Sequence, residues 1–121
     1  MKFTISIPGA ILFPPGMHGW EASATPADML RVARRADALG FDYISMPDHV
    51  VMVKEMAASM GKRWPHPLAA IAFFAGATSR IKITTSVIVV PYHNPLELAQ
   101  MLATIDSSPA AALSRAWASA I

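Results

Sequence analysis

Residues 80–91, RIKITTSVIVVP, restrict the fold more than any other stretch of this chain. They are rich in β-branched residues, whose stiff χ1 suits extended backbone, and nearly unbroken in apolar character toward their end. Such a run reads as a strand covered on both faces, which is the situation of a parallel sheet. Parallel strands cannot be joined by hairpins, so each needs a crossover, normally a helix.

The rest of the chain supplies those crossovers. KFTISI, residues 2–7, alternates with Phe3, Ile5 and Ile7 on one side, a first strand that Pro8-Gly9 ends. A Pro- and Gly-rich loop, 8–24, follows. Thr25 as N-cap, Pro26 at N1 and Asp28 at N3, facing the positive end of the dipole, open a helix that Gly40 closes. Its apolar stripe is Leu30, Ala33, Ala36 and Leu39; Arg31, Arg34, Arg35 and Asp37 make the wet face. FDYISM, residues 41–46, is the second strand and ends at Pro47. The segment 47–65 is long for a strand-to-helix loop, usually a sign of function or mobility, and KEMAASM within it has the makings of a short helix.

Pro67 starts a further helix, PLAAIAFFAGAT, whose small residues allow close approach to a sheet. After the 80–91 strand, Asn94-Pro95-Leu96-Glu97 repeats the start signal, with Glu97 placed to complete a capping box and Leu98, Met101, Leu102 and Ile105 on the buried face. The order βαβαβα predicts an α/β fold with a parallel sheet and right-handed crossovers. A doubly wound sheet and part of a TIM barrel both satisfy it. No G-x-G-x-x-G or Walker loop follows any strand, which weakens the nucleotide-binding version of the former.

Composition limits the rest. With 121 residues, 54% of them hydrophobic, the chain has material for one domain with a real core. It has no apolar stretch long enough for a membrane span and no signal peptide, so a cytoplasmic address without membrane attachment is expected. Cysteine is absent, which excludes disulfides and thiolate metal sites. Ten Lys and Arg against eight Asp and Glu give +2, and the basic residues are scattered, so nucleic acid is not expected as a partner.

In a barrel, chemistry gathers on the loops that follow the strands. Those loops carry His18 and Trp20, then Asp48 and His49, then Tyr92, His93 and Asn94. Asp48-His49 is the most pointed pair, because a carboxylate beside an imidazole orients the ring and suits it to proton transfer near neutral pH. The plainer reading has Asp48 capping the next turn and His49 as a satisfied polar residue; Asn94 is likewise explained by capping. The histidines at 18, 49, 66 and 93 show no short ligand spacing, so no metal site is expected, and His66 between two prolines reads as a helix-start residue. Met46, Met52, Met56 and Met60 read as packing or lid residues. Trp64 and Arg63 either line a pocket or pack on each other. An α/β hydrolase built on Asp48-His49 lacks the G-x-S-x-G elbow.

ADALGFDYISMPDHVV, followed by RIKITTSVIVVPYHNPLELAQMLATID, resembles the N-terminal part of the luciferase-like monooxygenase superfamily over about residues 1–106. The resemblance implies a TIM barrel that binds FMN or the deazaflavin coenzyme F-420 at its C-terminal face. It also implies hydride transfer or dioxygen activation on a small organic substrate. Asp48 and His49 match the Asp-His pair that lies beside the isoalloxazine ring in the family, with the His as acid or base. Ser86-Val87 match a third-strand bulge that often holds a non-prolyl cis peptide against the ring, with Val89 and Asn94 nearby.

A full barrel takes about 250 residues, and three βα units are present here. Residues 107–121, SSPAAALSRAWASAI, depart from the Leu-Ser-Gly-Gly turn and Gly-Val-rich strand that family members carry next. Back-translation in one shifted frame allows both motifs, in order. The expectation is therefore a partial, truncated luciferase-like domain at 1–106 and an out-of-frame tail at 107–121. Unpaired strand edges would then favour self-association. The alternative is a non-catalytic barrel fragment that self-associates or pairs with another chain.

Overall fold

The computed structural model describes residues 1–107, so the atypical stretch lies outside the described residues from 108 onward. Three short strands, β1 (Thr4–Ser6), β2 (Tyr43–Met46) and β3 (Lys82–Thr85), form a parallel sheet in the order β1-β2-β3. Four helices connect or follow them: α1 (Pro26–Leu39), α2 (Ala57–Met60), α3 (Pro67–Ala75) and α4 (Pro95–Asp106). The α/β class and the parallel sheet are as expected. No helix among the described residues is long and apolar enough to cross a membrane.

The register sorts the two sheet faces. Ile5, Ile44 and Ile83 stand side by side in one row, while Ser6, Ser45 and Thr84 make the neighbouring row on the opposite face, because successive side chains alternate. Ile44 and Met46 are completely buried and join one cluster with Ile83, Ala33 and Ala36 of α1, and Leu68, Ile71 and Phe74 of α3. The other face carries Tyr43, Ser45 and Thr84, all half-buried.

The helix starts follow their caps. Thr25 and Asp28 form a complete capping box: Thr25 Oγ1 accepts from the Asp28 N–H at 3.3 Å and Asp28 Oδ2 accepts from the Thr25 N–H at 3.0 Å. Asn94 Oδ1 accepts from the N–H groups of Leu96 and Glu97, so α4 is capped by Asn94. Gly40 closes α1 in the left-handed region at φ 82°, where a side chain would be strained.

Several expected features differ. Leu39, the last residue of α1, is 60% exposed, since the buried face of the helix ends at Ala36. Met101 is exposed while Leu98 and Ile105 are buried, and Phe3 lies outside β1 and is exposed. The main difference is β3, which stops at Thr85 instead of running to residue 91: the peptide between Ser86 and Val87 is cis, and Val90–Tyr92 form a 3-10 turn. Past Thr85 the backbone is held instead by Asp48, which bonds the Val87 carbonyl and the Val89 N–H, and by the Val90 N–H turning back to the Ile88 carbonyl.

Asp37, near the end of α1, ties that helix to β3. Its carboxylate accepts from the backbone N–H groups of Ser79, Arg80 and Ile81 at 2.8, 3.1 and 2.7 Å. Burial alone would raise its pKa, but these three donors and the Arg80 charge outweigh it and hold the carboxyl below its ordinary value.

Candidate functional site

Parallel strands end at the same side of the sheet, so the loops after β1, β2 and β3 meet there. Two side-chain clamps join them. In the first loop, buried Glu21 accepts from the Gly9 N–H through Oε2 at 3.1 Å and from the His18 N–H through Oε1 at 3.0 Å. Arg63 of the second loop donates to the carbonyls of Gly9 and Ala22 at 3.1 and 3.4 Å. The segment Lys54–Met60, a 3-10 turn running into α2, is the short helix expected from KEMAASM. It ends at Gly61, whose φ of 79° and close seat against the Leu12 backbone both require the absence of a side chain.

The second clamp is Asp48. Its N–H donates to the Val87 carbonyl at 3.1 Å and the Ser86 N–H donates to the Met46 carbonyl at 2.9 Å, which extends backbone pairing past the strand ends. Its Oδ2 accepts from the Val89 N–H at 3.0 Å and from Nε2 of His93 at 2.9 Å. Only 1% of the Asp48 side chain and 10% of the His93 side chain are exposed. Oδ1 is buried and has no hydrogen-bond partner among the described residues. A buried acceptor left like this is costly, and the cost is relieved when a donor reaches it.

The expected Asp48-His49 pair is therefore rearranged. No hydrogen bond joins the two side chains among the described residues; the Asp48 side chain is buried, and His49 lies against the Trp64 ring with centroids 4.9 Å apart. Trp64 itself is half-buried and donates from Nε1 to the Gly61 carbonyl at 3.3 Å. The imidazole that Asp48 orients is His93. That ring also meets His66 edge-on at 5.6 Å. His66 stands at the N-cap of α3, as a helix-start residue, without a side-chain cap bond.

Ser86 and Val87 are exposed at this end, Val87 by 46%, and Val89 is half-buried with its N–H already committed to Asp48. Asn94 is occupied as the α4 cap. The sequence places His93 on the loop after the third strand but does not pair it with Asp48, and it does not point to Glu21, because no local pattern announces a contact across 45 residues or a buried carboxylate that receives backbone N–H groups.

Residues 1–108 match the family model for luciferase-like monooxygenases. The chain belongs to that family. A relative from Kribbella flavida, an F420-dependent glucose-6-phosphate dehydrogenase, is 34% identical over 91 residues, which is 72% of this chain and 26% of the relative. The crystal structure of monooxygenase RslO1 from Streptomyces bottropensis is similar with a TM-score of 0.63 and 27% identity, over 88% of this chain and 29% of that one. The oxygenating constituent of 3,6-diketocamphane monooxygenase from Pseudomonas putida, solved in complex with FMN, shares the fold with a TM-score of 0.58 at 23% identity, over 84% of this chain and 24% of that one. The chain thus spans 24–29% of these relatives' lengths.

Proposed function

We propose that residues 1–106 are the first three βα units of a TIM barrel that binds FMN or the deazaflavin coenzyme F-420 at its strand ends. The whole would act as a flavin- or deazaflavin-dependent oxidoreductase or monooxygenase on a small organic substrate. The observation that carries this reading is the buried Asp48 carboxylate, whose Oδ1 lacks a partner among the described residues, beside the exposed Ser86–Val87 peptide at the C-terminal side of the sheet. A catalytic site in a barrel belongs on that side.

The residues present fit such a group. Oδ1 of Asp48 offers an acceptor to a ring N–H or hydroxyl, and Val87 and Val89 offer apolar surface to a flat ring, with Ser86 and Asn94 on the same loop. When bound, the group supplies hydride transfer or dioxygen activation. His49, half-buried and steadied by Trp64, takes the acid or base role, holding or accepting a proton at a ring nitrogen.

The test is an absorbance and fluorescence titration of the chain with each cofactor, with the oligomeric state recorded. Saturable binding that Asp48→Ala and His49→Ala both weaken supports the reading; no binding of either cofactor overturns it. A second reading is favoured by the outer edges of β1 and β3, which have no strand partner among the described residues. It is a non-catalytic fragment that self-associates through those edges, and a defined oligomer that binds no cofactor would establish it.

A further inference from the structure

The Asp48 carboxylate has a broad, two-fold torsion at its end, so one hydrogen bond to the Val89 N–H leaves it free to swing. Two donors on the same oxygen do not: the Val89 N–H at 3.0 Å and His93 Nε2 at 2.9 Å both converge on Oδ2, which leaves Oδ1 as the acceptor without a partner among the described residues. His93 is suited to this because it is itself held. Its backbone N–H donates to the Val90 carbonyl at 3.0 Å, closing the 3-10 turn, its ring lies edge-on against His66, and the Asn94 cap starts α4 at the next residue.

We propose that His93 is a positioning residue of this site: its Nε2–H holds the Asp48 carboxylate in the orientation that presents Oδ1 to the bound ring system. The assignment rests on the cofactor reading above and extends it to a residue that touches the cofactor only through Asp48.

Two measurements test it. In the chain without cofactor, proton and nitrogen NMR should show a ring N–H proton of His93 protected from exchange, identified by its loss in His93→Gln and abolished in Asp48→Ala. In FMN and deazaflavin titrations, His93→Phe, which keeps a ring but no donor, should weaken binding about tenfold or more, as loss of a hydrogen bond to a charged group implies. His93→Gln, whose amide nitrogen stands where Nε2 stood, should stay within about threefold of the wild type.

Wild-type affinity in His93→Phe overturns the proposal, because it would mean that the ring only fills space; an equal loss in Gln and Phe also overturns it, because the donor restored by Gln would then recover nothing. Absence of the protected proton overturns it whatever the titrations show. If His93→Phe does not fold, the proton and His93→Gln decide. If the wild type binds neither cofactor, the proposed function fails separately, and the proton alone decides the Asp48–His93 assignment.

Discussion

Nε2 of His93 lies 2.9 Å from Oδ2 of Asp48, and this contact fastens the loop after β3 to the end of β2. Since Oδ2 also takes the Val89 N–H, one carboxylate oxygen determines where the 86–93 segment leaves the sheet.

Asp48→Ala removes the acceptor for two donors in a buried place. The expected loss is about 2–4 kcal/mol in urea unfolding, with a smaller loss for Asp48→Asn, whose amide oxygen still accepts. An Asp48→Ala midpoint equal to that of the wild type would show that the clamp does not hold the loop.

Asp37 predicts a stability change in acid. Its folded pKa is depressed, so its contribution is complete above its unfolded value of about 4 and is lost as the pH falls through the lower folded value. Asp37→Asn should cost about 2 kcal/mol near pH 7. The difference from the wild type should shrink steadily below about pH 4, and a pH-independent difference would rule out the carboxylate as its source.

Gly61→Ala combines a positive φ with a Cβ that would run into the Leu12 backbone. A loss above about 3 kcal/mol is expected, because backbone cannot rotate away as a side chain can. Thermal unfolding reads it, and a melting temperature within a few degrees of the wild type would show that the first loop simply moves aside.

Glu21→Ala leaves the N–H groups of Gly9 and His18 without their acceptor. Faster proteolytic cleavage between residues 13 and 20 is expected, with a stability loss of about 1–3 kcal/mol. Glu21→Gln keeps one acceptor oxygen and should fall between the two.

Much of the architecture was legible because its signals are local. Thr25, Asp28 and Asn94 mark helix starts within three residues of the N–H groups they accept from, Pro67 and Pro95 sit at first-turn positions where a missing N–H costs nothing, and Gly40 marks an end by its positive φ. The end of β3 was not legible. Residues 86–91 have the composition of a strand, and nothing near them in sequence shows that Asp48 competes for the Val89 N–H.

The site divides along the same line. Sequence periodicity alone located Asp48 and His49 at a strand end, whereas Ser86–Val87 came only from the family resemblance, since their composition reads as plain strand. Only the tertiary structure decided that Asp48 faces His93 and that His49 faces Trp64. Asp48 lies just past the end of β2, where its carboxylate is taken by the Val89 N–H and His93, while the His49 ring sits by Trp64; parallel pairing of β2 with β3 brought the distant histidine within a hydrogen bond, which no local pattern can announce.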